Sequence, residues 1–176
     1  LLKVNCPNED EIKNIQTNSI LVGMINNKNN NQKIQNILSK KVKIFSLELL
    51  PRITRAQSMD VLSSQSNLAG YRSVIESINE FEKAVPMMMT AAGTVPAAKV
   101  LVIGAGVAGL QAIATAKRLG AVVSATDVRS SSKEQVESLG GKFLEVKQSE
   151  NLETSGGYAK EASDEYKKKQ AELMKE

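Results

Sequence analysis

The sequence contains no histidine and no tryptophan, and its only cysteine is Cys6. A single cysteine cannot form an internal disulfide, and its neighbours do not have the spacing of metal ligands, so we expect a reducing, cytosolic setting and no metal site. Aromatic residues make up only 3% of the chain, so its core must be aliphatic. No apolar run approaches the roughly 20 residues of a membrane span, and the pattern of a secretory signal is missing, so we expect no direct membrane insertion.

The charge balance does not favour a nucleic-acid partner. The chain has 23 basic and 19 acidic residues, and they are spread along the sequence rather than gathered in one basic patch. Its 176 residues can bury one sizeable core, or one small domain and part of another. We therefore do not expect a complete two-domain enzyme.

The N-terminal third of the chain has the pattern of an α/β domain. Residues 19–25 and 42–47 are apolar runs typical of strands, and residues 33–40 have apolar side chains at helical spacing. We expect residues 1–67 to form an incomplete N-terminal α/β domain that ends in an exposed loop, 51–66. That loop is rich in hydrogen-bonding side chains, which is typical of a functional loop, although a solvated connector fits the same composition.

A helix predicted over residues 68–85 links this domain to a second one, 68–176. From residue 99 onward, strands are predicted at 100–103, 121–126 and 142–146, with helices at 107–119 and 131–139 between them. This order is typical of the first half of a Rossmann-like, doubly wound parallel sheet. Only a charged tail, helical from about residue 162, follows, so we expect the domain to be truncated before its second half.

A glycine-rich motif is the clearest indication of function in the sequence. Gly104, Gly106 and Gly109 fit G-x-G-x-x-G between a buried strand and a helix, and Asp127 follows at the end of the next strand. In a dinucleotide site the first glycine permits the tight turn, the second lets the backbone approach the pyrophosphate, and the third lets helix and sheet pack closely. The helix N-terminus then faces the phosphates with free amides and the positive end of its dipole. The alternative is a tight turn in some other α/β fold.

Asp127 predicts NAD(H) rather than NADP(H). A carboxylate there accepts hydrogen bonds from the ribose hydroxyls and repels a 2′-phosphate. Arg129 leaves NADP(H) open, because a nearby arginine can accept that phosphate. Together with the neighbouring Val107 and Val128, these residues form the predicted cofactor-binding set.

Several longer runs resemble one family. RITRAQSMDVLSSQSNLAGY at 52–71 and PMMMTAAGTVP at 86–96 are similar to the NAD(H)-binding component, the soluble portion of the alpha subunit, of proton-translocating NAD(P) transhydrogenases. The resemblance continues at 111–120, 126–129, 133–143 and 156–161. In that family this segment has sequence on both sides, whereas residues 1–50 match only loosely.

The resemblance implies an activity and roles for individual residues. It implies hydride transfer between NADH and NADP⁺, with the NADP(H) held on a partner domain. Arg52, Asp60 and Ser63 would hold the nicotinamide of NADH, and Gln57 would reach toward the partner's NADP(H). Tyr158, in a glycine-containing loop, would cover the adenosine; a flexible linker with an incidental tyrosine is the alternative.

The same resemblance implies partners and a location. We expect a homodimer that meets membrane-spanning and NADP(H)-binding domains on the cytoplasmic face of a bacterial inner membrane. Proton translocation would belong to those partners.

Two rival interpretations remain. An alanine dehydrogenase would share the fold, but oxidative deamination needs a positioned general acid or base. That family has a histidine near the positions matching 21–30, and this sequence has none. The second rival is an inactive or split-gene fragment that retains NAD binding, and the encoding DNA on either side would reveal it.

Overall fold

A computed structural model describes residues 1–51, 53–146 and 162–174. The chain divides into two compact units, Leu1–Ser64 and Gln65–Glu176. The predicted domain boundary after residue 67 stays a prediction.

The first unit is a small α/β structure around a parallel sheet of three strands in the order β1-β2-β3. Asn8 begins the first helix with a capping box, in which its side chain accepts from the amide of Glu11 and the Glu11 carboxylate accepts from the amide of Asn8. The elements are β1 (Leu2–Lys3), α1 (Glu9–Asn14), β2 (Ile20–Gly23), α2 (Asn31–Leu38) and β3 (Lys43–Ser46). The two predicted strands are confirmed with shorter ends, and the helix predicted over 33–40 is confirmed but lies two residues earlier. Strand β1 and helix α1 were not predicted.

The core of this unit is aliphatic. Leu21, Ile25 and Ile37 are fully buried, and they pack with Ile12 and Val42. Leu21, Ile37 and Val42 belong to the predicted strand-helix-strand pattern, whereas Ile12 comes from α1, which the apolar spacing did not predict.

The prediction of an exposed loop over residues 51–66 is wrong in part. A 3-10 helix covers Thr54–Met59, and the long helix α3 already begins at Val61 and ends at Phe81. The helix predicted over 68–85 therefore starts earlier and stops sooner, since Glu82 takes a left-handed conformation at φ 55° before Pro86 is reached. Asp60 explains the early start, because its carboxylate accepts the amide of Ser63 in the first turn.

The second unit contains a parallel sheet in the order β6-β7-β8 and a separate antiparallel hairpin. Its strands and helices are β4 (Met88–Thr90), β5 (Gly93–Val95), β6 (Lys99–Ile103), α4 (Val107–Arg118), β7 (Val122–Thr126), α5 (Ser132–Ser138), β8 (Lys142–Phe143) and α6 (Asp164–Leu173). The predicted α/β class is confirmed. The β4–β5 hairpin was not predicted, and β8 is shorter than expected.

Small aliphatic residues fill the core of the second unit. Ile113 and Ala116 of α4 pack against Val123 and Ala125 of β7, and Val136 of α5 closes the layer. All five are buried. In the part of the chain that the structure describes, no helix combines the length and apolarity that crossing a bilayer requires.

Two glycines let backbones approach closely around α4. A Cβ on Gly70 of α3 would overlap the carbonyl oxygen of Ala108, and a Cβ on Gly109 would overlap that of Gly104. In both cases the atom in the way is backbone, which cannot rotate aside. The position of α4 therefore requires that Gly70 and Gly109 have no side chain.

The contact at Gly70 predicts a loss of stability in Gly70→Ala. Alanine favours helix by about 1 kcal/mol over glycine, whereas overpacking against a fixed backbone costs about 1–3 kcal/mol. We expect the cost of the clash to exceed the gain in helix propensity, so the urea concentration at the midpoint of unfolding should fall. Asn79→Ala, at an exposed position of the same helix, should leave the midpoint unchanged or raise it. A Gly70→Ala midpoint at or above that of the unmodified chain would contradict the close approach.

Candidate nucleotide-binding site

The turn between β6 and α4 has the backbone that the glycine motif predicts. Gly104 has φ 94°, a conformation that favours glycine. Its amide donates to the carbonyl oxygen of Thr126 at 2.8 Å, which holds the turn against the end of β7. Because β6 and β7 are parallel, with Ile103 paired to Thr126, the turn and Asp127 lie at the same edge of the sheet.

Gly106 has a different reason to be glycine. Its φ of −77° is open to any residue, and the nearest atom to a Cβ built there is Nη2 of Arg129, at 3.9 Å. The fold itself therefore has room for a Cβ at this position. The missing Cβ leaves space for a ligand at the turn, as the approach of a pyrophosphate requires.

Helix α4 presents its N-terminus to this space. Gly106 is its N-cap and has no side chain to accept the first amides, and the helix continues for 12 residues with Lys117 and Arg118 in its last turn. The first amides of a helix have no partner within it, and they carry the positive end of its dipole. This end of α4 fits an anionic group such as a phosphate.

Asp127 is the most strongly bound side chain of the site. Its Oδ1 accepts from the Arg129 amide at 2.8 Å and from Arg129 Nε at 2.9 Å. Its Oδ2 accepts from the Ala105 amide at 2.7 Å and from Arg129 Nη2 at 2.9 Å. The side chains of Asp127 and Arg129 are only 5% and 17% exposed. The carboxylate therefore ties the glycine turn to the segment after β7.

These contacts keep Asp127 ionised. Burial by itself raises the pKa of the carboxyl, but the hydrogen bonds from Arg129 and from the Ala105 amide outweigh it, and the pKa of Asp127 is lowered. A carboxylate that stays charged can accept hydrogen bonds from a ribose and repel a 2′-phosphate.

The remaining predicted cofactor residues lie around this centre. Val107 is the first residue of α4 and is 40% exposed at the turn. Val128 is half-buried between Asp127 and Arg129. Tyr158, predicted to cover the adenosine, lies outside the described residues.

Tyr166 is a neighbour of the site that sequence reasoning missed. It is buried in α6, and its hydroxyl donates to the carbonyl oxygen of Asp127 at 3.4 Å. Gln170 of the same helix donates to the Thr126 hydroxyl at 3.4 Å. Helix α6 thus covers the end of β7. The one available signal was a lone aromatic side chain in a highly charged helix.

The predicted catalytic residues belong to the first unit. Asp60 and Ser63 are in direct contact, because Ser63 Oγ donates to Asp60 Oδ2 at 2.6 Å and the Ser63 amide donates to Oδ1 at 2.9 Å. Gln57 lies one turn before them in the 3-10 helix and is exposed. Arg52 lies outside the described residues. The Asp60–Ser63 contact also has a structural role, since it caps α3.

The carboxyl ends of β2 and β3 are closed by Glu48. Its carboxylate accepts the amides of Ile25 and Asn26, and the Ser46 hydroxyl donates to it at 3.1 Å. Burial opposes its ionisation, but these hydrogen bonds lower the pKa of Glu48. Glu48 therefore holds a turn as a fixed anion and is poorly suited to be a general acid.

Comparison with protein families and curated sequences gives consistent matches. Models of the N-terminal and C-terminal domains of alanine dehydrogenase/PNT match residues 1–69 and 73–174. The first part of NAD(P) transhydrogenase subunit alpha from Rhodospirillum rubrum is 59% identical over 94% of this chain and 44% of its own length. NAD(P) transhydrogenase subunit alpha of Haemophilus influenzae is 45% identical over the whole chain and 34% of its own length. The chain thus spans less than half of these relatives.

Solved structures give the same result for the fold. The transhydrogenase from Sinorhizobium meliloti superposes with a TM-score of 0.79 at 58% identity, over 82% of this chain and 44% of that one. An L-alanine dehydrogenase superposes with a TM-score of 0.65 at 22% identity, over 80% of this chain and 40% of that one, a likeness of fold alone. The prediction of a Rossmann-like α/β fold is confirmed, and so is the resemblance to transhydrogenases.

The lowered pKa of Asp127 predicts a pH-dependent contribution to stability. Its stabilisation should be present above the unfolded-state pKa of about 3.9 and should be lost as pH falls below that value toward the folded-state pKa. Urea unfolding from pH 7 to pH 3 should therefore show the unmodified chain losing its advantage over Asp127→Asn below about pH 4. The other acids are common to both proteins, so the difference isolates Asp127.

Arg129→Met provides the matched comparison. It removes the guanidinium hydrogen bonds but leaves the Ala105 amide in place, so the folded-state pKa of Asp127 should rise. The pH-dependent stabilisation should then be smaller, and its loss should be complete at a higher pH. A difference in unfolding free energy between the unmodified chain and Asp127→Asn that stays constant over this pH range would show that the pKa of Asp127 does not change on folding.

Proposed function

This chain belongs to the alanine dehydrogenase/PNT family, and we propose that it is the NAD(H)-binding portion of a transhydrogenase that transfers hydride between NADH and NADP⁺. The observation that carries the proposal is the joint geometry of the glycine turn and Asp127. Gly106 leaves space at the N-terminus of α4, and the ionised carboxylate of Asp127 lies beside it. These are the two features that recognise a pyrophosphate and an adenosine ribose.

In the proposed binding mode, the start of α4 and Asp127 bind different parts of the nucleotide. The first amides of α4 bind the pyrophosphate, with Val107 at the helix start. The Asp127 carboxylate accepts a ribose hydroxyl, which takes the place of one of the donors that the described residues supply to it. Val128 and Arg129 border the same position. Retained negative charge at Asp127 favours NAD(H) over NADP(H).

The hydride-transfer roles rest on the resemblance of residues 52–66 to the transhydrogenase motif. Bound NADH supplies the hydride, and transfer between two nicotinamides needs alignment and exclusion of water rather than a proton donor. We assign Asp60 and Ser63 to the nicotinamide of NADH, together with Arg52. Exposed Gln57 is assigned to NADP(H) on the partner domain. Tyr158 completes the proposed set as a cover for the adenosine.

The proposal extends to partners that this chain does not include. We propose a homodimer that meets an NADP(H)-binding domain and a membrane-spanning domain on the cytoplasmic face of a bacterial inner membrane. Proton translocation is assigned to the membrane-spanning partner. A fragment that retains NAD binding without transfer is the alternative, and binding and transfer assays separate the two.

An alanine dehydrogenase activity is less well supported. Oxidative deamination requires a general acid or base. The sequence has no histidine, and Glu48, at the ends of β2 and β3, is bound to backbone amides and a serine hydroxyl. The described arrangement therefore suits hydride transfer without proton chemistry.

Nucleotide binding is tested by isothermal titration with NADH and NADPH. We expect clearly tighter binding of NADH, because Asp127 repels the 2′-phosphate. Gly106→Val should abolish NADH binding while the far-UV circular dichroism stays near normal, since the fold leaves room for a Cβ at this position but a bound pyrophosphate would not.

Ala69→Val is the matched control, because it adds a β-branched side chain at an exposed position of α3. It should leave NADH affinity unchanged. NADH binding retained in Gly106→Val would place the phosphates elsewhere, and equal affinities for NADH and NADPH in the unmodified chain would refute the role of Asp127.

The role of Gln57 is tested by Gln57→Asn in a complete enzyme mixed with an NADP-loaded partner domain. The shorter side chain should leave NADH affinity unchanged but lower single-turnover hydride transfer by about ten-fold or more, because small misalignments of reacting atoms are costly. Gln135→Asn, the same change at an exposed position of α5, should alter neither quantity. Lost NADH affinity with normal transfer per bound NADH would make Gln57 an NADH contact instead.

A further inference from the structure

Arg129 is paired with Asp127 at the place where nucleotide selectivity would be decided. Its Nε and Nη2 donate to the two different oxygens of the carboxylate, each at 2.9 Å, which is a bidentate pair. The Arg129 amide donates to the same group at 2.8 Å. The side chains of both partners are mostly buried, so water screens the pair only weakly.

The carboxylate is also fixed from its other side. The Ala105 amide, inside the glycine turn, donates to Oδ2 at 2.7 Å. Asp127 therefore cannot rotate away from Arg129 without losing a hydrogen bond from the turn. The guanidinium in turn is held by both oxygens of this fixed carboxylate.

The held guanidinium borders the position where a nucleotide would bind. Its Nη2 is the nearest atom to a Cβ built on Gly106, at 3.9 Å. A guanidinium has the planar donor geometry that binds phosphate oxygens in pairs. In dinucleotide sites the acid selects the free 2′-hydroxyl and a nearby arginine selects the 2′-phosphate. This structure contains both groups, joined to each other.

We propose that Arg129 is a specificity-determining residue whose capacity to bind a 2′-phosphate is masked by its ion pair with Asp127. The proposal rests on the nucleotide site proposed above, and it adds the Asp127–Arg129 pair as a cause of the selectivity for NAD(H). Asp127 acts twice, by repelling the phosphate directly and by occupying the arginine that would otherwise bind it. Without the negative charge of Asp127, the pair changes from neutral to a net positive charge facing the ribose.

The test is a double-mutant cycle with Asp127→Asn, Arg129→Met and the combined variant. Asparagine keeps an oxygen that can accept the Ala105 amide but removes the charge that holds the guanidinium. The probes are adenosine 2′,5′-bisphosphate and 5′-AMP, measured by isothermal titration, with NADPH and NADH as the full-length pair. Circular dichroism confirms that each variant is folded.

We expect Asp127→Asn to raise the affinity for adenosine 2′,5′-bisphosphate relative to 5′-AMP by about ten-fold or more, as charge-assisted hydrogen bonds allow. Adding Arg129→Met should remove most of that gain. Adding Arg118→Met instead, which removes an exposed positive charge at the other end of α4, should leave the gain intact. A gain that persists without Arg129 would overturn the proposal, because direct repulsion by Asp127 would then account for the selectivity.

Arg129→Lys supplies a second arm that does not depend on the folding of Asp127→Asn. Lysine keeps the positive charge beside Asp127 but lacks the paired donors of a guanidinium. If the guanidinium is masked, losing those donors should change the affinity for the bisphosphate by no more than about two-fold, a small effect against the strength of a charge-assisted contact. A large loss would mean that Arg129 already binds the phosphate and would overturn the masking.

The outcomes also separate this inference from the proposed function. If the unmodified chain binds neither NADH nor 5′-AMP, the nucleotide site fails and the inference fails with it. If NADH binds normally but the cycle shows independent effects of Asp127 and Arg129, only the inference is overturned.

Discussion

The hydrogen bond from the Ala105 amide to Asp127 joins the two halves of the candidate site. Parallel pairing of β6 and β7 brings the glycine turn and the residue after β7 to one edge, but pairing alone does not orient a side chain. The short contact to Ala105 does, and Arg129 completes it from the other side. The shape of the turn, the ionisation of the carboxylate and the placement of the guanidinium all depend on this one group.

Much of the second unit could be predicted because its sequence pattern and its packing agree. The continuous apolar run at β6, the glycine turn and the periodicity of α4 all indicate the same βαβ arrangement. The start of α3 could not be predicted from apolar spacing, because its first turn contains Ser63 and Ser64 and is stabilised by the Asp60 cap. The β4–β5 hairpin could not be predicted for a different reason: its strands are short and exposed on both faces, so they show no alternation of buried and exposed residues.

In the candidate site, too, some residues could be predicted from the sequence and others could not. Gly104 and Gly109 were predictable because backbone geometry demands glycine at both positions. The sequence left open whether Arg129 would accept a 2′-phosphate, and it gave no sign of the bidentate contact with Asp127. Tyr166 lies 39 residues from the carbonyl oxygen that it contacts. No local pattern reports such a contact, because it depends on how α6 packs against the sheet.

The two close approaches at Gly70 and Gly109 have a thermodynamic consequence. They fix the first turn of α4 between α3 and the end of β6 through backbone atoms alone, which have no rotamers to adjust. A turn held in this way is already ordered before any ligand arrives, so association need not spend entropy on arranging the anion-facing amides. Preorganisation of that kind favours slow dissociation over an induced change of shape. Any rearrangement that accompanies ligand capture must then take place in other segments of the chain.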